Sequence, residues 1–192
     1  MPPASDLLQL LNTLVKLAPE EEALIANSFK LYTLPKGEFF LREGTVCRHV
    51  GFLATGLVRY FVLKNEEEST FEFTKEGDFI ADYSSFNRKE KSNQNIEAIE
   101  DCELLIIDHE KLHHIFNHTP NGNHLGRLIV EHRFHVMVNQ LLAVYMQTSE
   151  QRYQKFLAEY QDLTQRIPQY HIASFVGVKP PSLSRIRKRL AR

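Results

Sequence analysis

Around residues 31–108 the chain runs through short apolar or alternating segments: "KLYTL", "EFFLRE", "HVGFLATG", "LVRYFVLK", "STFEFT", "NIEAIE" and "ELLIID". Gly37, Gly44, Gly56 and Gly77 punctuate them, and "KNEEES" reads as a hairpin turn. Several short strands separated by turn residues at this spacing predict an antiparallel barrel or sandwich.

The flanks have a helical texture. Residues 5–30 carry leucines at helical spacing, and Pro19 followed by Glu20, Glu21 and Glu22 predicts the start of a second helix. Residues 109 to about 162 are again helical in pattern. Within "NHLGRLIVEHRFHVMVNQLLAVYMQ" two stripes can be traced. One holds Leu125, Ile129, His132, Val136, Asn139, Ala143 and Met146; the other holds Phe134, Val138, Leu141 and Tyr145. A helix of this length spans about 37 Å, more than a domain of this size covers on one face. Two stripes imply two neighbours: the chain's own barrel and the same helix of a second subunit, meeting through Ile129, His132, Val136, Asn139 and Ala143. Asn139 would fix the register of that seam.

Charge is distributed unevenly. The formal total is −1, yet residues up to 162 hold sixteen basic against twenty-four acidic side chains, and from 163 onward there are seven basic and none acidic. An acidic body with a basic end suggests a module for a polyanion. In "QYHIASFVGVKPPSLSRIRKRL" the apolar positions are Ile172, Val176, Val178, Leu183, Ile186 and Leu190, and Ala173 precedes Gly177 by four residues. Two short helices crossing through a tight turn require that pattern: a small residue where backbones meet, a glycine in the turn, and apolar residues locking the pair. Pro180 and Pro181 suit the first turn of the second helix. This predicts a helix-turn-helix whose second helix presents Ser184, Arg185 and Lys188 outward, with Ser182 and Arg189 on the flanks. Arg185 is the expected base reader; Lys179, Lys188 and Arg189 are expected on phosphates. A solvated basic helix, or one lying on acidic lipid, accounts for the charge but not for Ala173 and Gly177.

The order of parts resembles the Crp–Fnr family of bacterial transcription regulators over essentially the whole chain. The residues that carry the resemblance are "LPKGEFFLREG" (Pro35, Gly37, Glu43, Gly44), "GLVRYF" (Gly56), "EGDFI" (Gly77, Asp78) and "IASFVGVKPPSLSRIRKRL"; "LSRIRK" is most similar to a Bacteroidetes-type branch. The resemblance implies an α+β protein: a jelly-roll sensor barrel like the cyclic-nucleotide-binding domain, a long dimerisation helix, and a C-terminal DNA-binding domain tilted by ligand. The expected divisions are 1–118 for the barrel with its N-terminal helices, 119–147 for the dimerisation helix, and 148–192 for the helix-turn-helix. Expected partners are double-stranded DNA, a second copy of the chain, RNA polymerase and a small-molecule effector.

The ligand positions depart from that family. Its ribose-binding Gly-Glu pair falls on Ala81 and Asp82, and its phosphate-binding Arg-Ser pair falls on Ser92 and Asn93. A buried phosphate without a guanidinium lacks its charge partner, so cyclic AMP is not the expected effector, which stays unknown. Pro180 and Pro181 also replace two base-reading side chains of better-known members. Cys47 and Cys102 are too few for an iron–sulfur cluster. His109, His113, His114 and His118 lack a third ligand type at fixed spacing and read as surface histidines. No cofactor, metal or catalytic residue is expected; there is no phosphate loop or nucleophile elbow. No apolar run reaches the length of a membrane helix, and "MPPASDLLQLL" has no basic n-region; a cytoplasmic location is expected. The competing reading is a small-molecule-binding signalling module whose basic end docks on an acidic protein or a membrane surface.

Overall fold

The computed structural model describes residues 3–190. Two helices open the chain, α1 (Pro3–Leu14) and α2 (Pro19–Ser28). The start of α2 follows from its sequence. Pro19 occupies the first turn, where a missing N–H costs nothing, and Glu21 reaches back so that its Oε2 accepts the Ala18 N–H at 3.1 Å.

Eight strands follow, interrupted by the short helix α3 (Tyr83–Arg88): β1 (Lys30–Leu34), β2 (Phe39–Leu41), β3 (His49–Thr55), β4 (Leu57–Lys64), β5 (Glu67–Lys75), β6 (Phe79–Ile80), β7 (Asn95–Ala98) and β8 (Cys102–Asp108). They form two four-stranded sheets in the orders β1-β8-β3-β6 and β2-β7-β4-β5. In the first, β8 is antiparallel to β1 (Lys30 opposite Ile106) and to β3 (Gly51 opposite Ile106). Of the expected antiparallel barrel or sandwich, the structure shows an open pair of antiparallel sheets, and the barrel is not closed. The edge strands β2 and β6, three and two residues long, are too short to carry a hydrogen-bonded ladder around a corner. Side chains of both sheets meet in one core, with Phe52, Ile80 and Leu104 from the first and Leu41, Val58 and Ile96 from the second. Gly56, between β3 and β4, sits at φ +100°, and a Cβ there would lie 2.6 Å from Cys102 Sγ and 2.7 Å from the Asp101 carbonyl. Only glycine fits.

The remainder is helical: α4 (His109–His118), α5 (Gly122–Met146), α6 (Ser149–Glu159), a 3-10 turn at Gln161–Leu163, α7 (Gln169–Val176) and α8 (Pro180–Leu190). Among the described residues no helix is long and apolar enough to cross a membrane. The chain divides into two compact units. One runs to Tyr60 and resumes over Phe73–Arg133; the other comprises Phe61–Glu72 and the chain from Phe134 onward. The division falls inside α5, between Arg133 and Phe134. The tip of the β4–β5 hairpin belongs to the second unit.

Candidate nucleic-acid interface and effector site

In the second unit, α7 ends at Gly177, which adopts φ +76°. Its N–H donates to the Ser174 carbonyl at 3.0 Å and the Val178 N–H donates to the Ala173 carbonyl at 2.9 Å. That paired pattern satisfies the last carbonyls of a helix and turns the chain sharply. Ala173, Val176, Ile172, Leu183 and Ile186 are buried, together with Tyr153, Phe156, Leu163 and Ile167. Val178 and Leu190 are half-buried. The apolar positions of "IASFVGVKPPSLSRIRKRL" thus form the core of this unit.

The opposite side of α8 carries the cations. Ser184, Arg185, Arg187, Lys188 and Arg189 are exposed, as is Lys179 just before the helix, while Ser182 is half-buried. Their surroundings differ. Arg185 Nη2 donates to Ser182 Oγ at 3.0 Å, and among the described residues Arg185 and Lys188 meet no carboxylate. Arg187 donates to Gln169 Oε1 at 2.8 Å across the helix pair. Arg189 pairs with Glu150, and that carboxylate holds its guanidinium above the ordinary arginine range. Lys179 pairs with Glu67.

Arg152 on α6 has no counterpart in the sequence reading. Its Nε and Nη2 donate to the Val176 carbonyl at 3.0 and 2.8 Å, and its Nη1 donates to the Gln147 carbonyl at 2.7 Å. It secures the end of α7 just where the turn begins. A run of polar residues in "SEQRYQKF" gives no hint of partners so far along the chain.

In the first unit the expected effector residues separate. Asp82 caps α3: its Oδ1 accepts the Ser85 N–H at 3.1 Å, and its Oδ2 accepts the Ser92 hydroxyl at 2.8 Å. Ser92 is buried and also accepts the Gln94 N–H at 3.1 Å. Ser85 continues the network, donating to the Glu90 carbonyl at 2.5 Å and accepting the Cys47 N–H at 2.9 Å. The Ala81 N–H donates to Tyr60 Oη at 3.1 Å, and Asn93 is exposed. Asp82 and Ser92 are brought together, but onto each other. An open groove of about 300 Å³ is lined by residues of the β2–β3 segment, including Arg42, Arg48 and His49, and by none of these four. Both carboxylate oxygens of Asp82 are occupied, and neither Ser92 nor Asn93 supplies a guanidinium.

The four histidines of α4 form two ring pairs, His109 tilted against His113 (ring centroids 4.1 Å apart) and His114 stacked on His118 (4.2 Å). Partial burial, with His113 and Lys89 nearby, holds His109 below the ordinary imidazole range. Among the described residues no group of three or more potential metal ligands gathers.

On α5 the two stripes differ in cover. Ile129 packs against the chain's own core, Val136 and Ala143 are half-buried, and His132 and Asn139 are exposed. Phe134 (64% exposed), Met137 (61%), Leu141 (57%) and Val144 (65%) form an uncovered apolar line, extended by Val130 and Tyr145.

Two open antiparallel sheets between helices, a long helix and a terminal helix pair define the fold class. Residues 32–119 match the cyclic nucleotide-binding domain family. Among solved structures, the fold is similar to FixK2 from Bradyrhizobium japonicum (TM-score 0.74, 16% identity, covering 85% of this chain and 84% of that one). It is similar also to the c-di-GMP responsive global regulator CLP of Xanthomonas campestris (0.74, 14%, 91% and 92%). The catabolite activator protein of Thermus thermophilus gives a TM-score of 0.60 at 21% identity over 95% and 86%. At these identities the likeness is one of fold. No curated protein matches the chain.

Proposed function

We propose that the chain is a homodimeric, sequence-specific DNA-binding transcription regulator of the Crp–Fnr type. The observation that carries this reading is the two-sidedness of α8. Leu183 and Ile186 are buried, while Ser184, Arg185 and Lys188 project into solvent with no carboxylate to neutralise the two cations. In this reading α7 and α8 are a helix-turn-helix and α8 enters the major groove. Arg185 donates two parallel hydrogen bonds to a guanine, and Ser182, which already holds one guanidinium nitrogen, sets its direction. Lys188 takes a phosphate; Lys179 and Arg189 take others by exchanging their carboxylates for the backbone. The regulators of similar fold support the assignment, with this protein's own recognition residues deciding its operator.

The dimer forms along Val130, Phe134, Met137, Leu141 and Val144, whose spacing alternates four and three as a two-helix seam requires. This exchanges the two stripes of the sequence reading. Ile129 faces the chain's own core, and the stripe of Phe134 and Leu141 faces the partner. The sheets are a platform, or sense an effector other than a cyclic nucleotide, since Asp82 and Ser92 are spent on each other.

The test is binding to a duplex selected from a random pool. Arg185→Ala should reduce the preference for the selected over random duplex by about 10- to 100-fold, the value of one bidentate guanine contact. Equal weakening on all sequences would remove Arg185 as the base reader. Equal binding of selected and random duplex by the unaltered chain would favour docking on an acidic surface instead.

A further inference from the structure

The β4–β5 hairpin ends in "KNEEES", and its turn residues Asn65 (φ 52°) and Glu66 (φ 64°) are both left-handed, the geometry of a tight two-residue hairpin turn. The tip is bonded to the helix pair of its own unit at two levels. Ser174, on α7, donates its hydroxyl to the Glu68 carbonyl at 2.8 Å and accepts the Thr70 N–H at 2.9 Å. Thr70 is buried, so this pair of hydrogen bonds fixes the strand beside α7. One step nearer the turn, Glu67 Oε1 lies 2.5 Å from Lys179 Nζ.

Lys179 is set at the start of α8 by its own backbone, its carbonyl accepting the Ser182 and Leu183 N–H groups at 2.9 and 3.2 Å. An ammonium beside a helix N-terminus is a phosphate site of the ordinary kind. Here a carboxylate already fills it. The two side chains are 71% and 68% exposed, and an ion pair so open to water contributes little to stability. Folding does not explain why the hairpin delivers Glu67 to that place.

We propose that the tip of the β4–β5 hairpin is an autoinhibitory latch: anchored by Ser174, it holds Glu67 on Lys179 as an internal substitute for a DNA phosphate. The proposal rests on the DNA-binding reading above. A duplex must displace Glu67 before Lys179 can take its phosphate, and the displaced carboxylate then recruits a cation from solution. That uptake cancels the counterion released from DNA at the Lys179 contact, so the latch lowers both the affinity and its salt dependence.

The experiment compares full-length Glu67→Gln, Ser174→Ala and Glu66→Gln on one selected duplex over a salt series. Glu66→Gln removes the same charge from a neighbour with no partner on α8. Glu67→Gln should bind about three- to fivefold more tightly, with the slope of log affinity against log salt steeper by about 0.9. Ser174→Ala, which frees the tip, should move affinity the same way by a smaller factor, and Glu66→Gln should leave the slope unchanged. If Glu67→Gln binds no more tightly than the parent, or Glu66→Gln matches it in affinity and slope, the latch is refuted while the DNA reading stands. If neither the parent nor any variant binds the duplex, the DNA reading falls and takes the latch with it.

Discussion

Asp82 and Arg185 are both charged residues at positions marked for ligand contact, and the two units treat them in opposite ways. Asp82 is half-buried, and both its oxygens are occupied by Ser85 and Ser92 of its own chain. Arg185 stands in solvent with one hydroxyl for company. A buried polar group left unpaired costs about 1–3 kcal/mol, so a fold either satisfies such groups internally or reserves them for a partner that will. The first unit has taken the former course around α3, where Asp82, Ser85 and Ser92 bond to one another and to the backbone. The second has left the outer face of α8 unspent.

The strongest way to break this contrast is Asp82→Ala. Losing the cap of α3 and one of the two acceptors of the buried Ser92 hydroxyl, which keeps the Gln94 carbonyl, should destabilise the chain by about 1–2 kcal/mol, read as a fall in the midpoint of denaturant unfolding. A residue held open for a ligand behaves otherwise, since its removal usually leaves stability unchanged or higher. If Asp82→Ala unfolds at the parent's midpoint, the network around Ser92 is not structural and the site is open to an anionic or hydroxylated effector after all. Arg185→Ala supplies the counterpart and should stay within about 0.5 kcal/mol of the parent.

What was legible in the sequence followed the same division. Local patterns carried the two terminal helices, because Ala173, Gly177 and the six apolar positions lie within nineteen residues and keep helical spacing on either side of the turn. Pro19 and the three glutamates announced α2 in the same way. The strand segments were visible, but open sheets cannot be told from a barrel by alternation, which records faces and not closure. On α5 the period showed apolar residues on more than one face, but nothing in a single helix says which of them meet its own core; Ile129 does, while Met137 and Val144, outside both stripes, are exposed. Arg152 and Glu21 escaped for a different reason. Their partners, Val176 and Asn121, are 24 and 100 residues away, and polar contacts at that range leave no periodic trace.

Glu21 offers a smaller, titratable test of the closed unit. Burial alone would raise its pKa, but N–H donors from Ala18 and from the backbone and side chain of Asn121 outweigh it and hold the carboxyl below its usual range. A carboxylate whose folded pKa is depressed stabilises the fold above its unfolded pKa, and that contribution is lost as pH falls through the folded value. The parent should therefore lose melting temperature between about pH 5 and pH 3. Glu21→Gln should start about 1 kcal/mol less stable at neutral pH and lose less on acidification, so that the two curves converge. Parallel curves would show that Glu21 gains nothing from its three donors.

The smallest expected effect is at Cys47, which borders the Asp82 network through its N–H bond to Ser85 Oγ. Burial pushes its thiol up to about 11, and the nearby Asp82 carboxylate adds to the rise. The reactive species of a cysteine is the thiolate, which at neutral pH is then a negligible fraction. Alkylating reagents should leave native Cys47 unmodified at about pH 7.5 and label it on unfolding, as intact-mass measurement will show. Rapid native labelling would mean that the segment between β2 and β3 opens, and with it the hydrogen bonds from which the closed character of this unit is argued. Slow labelling that tracks global unfolding would place Cys47 and Asp82 in the same cooperative core, leaving the exposed face of α8 as the part of the molecule free to act on something else.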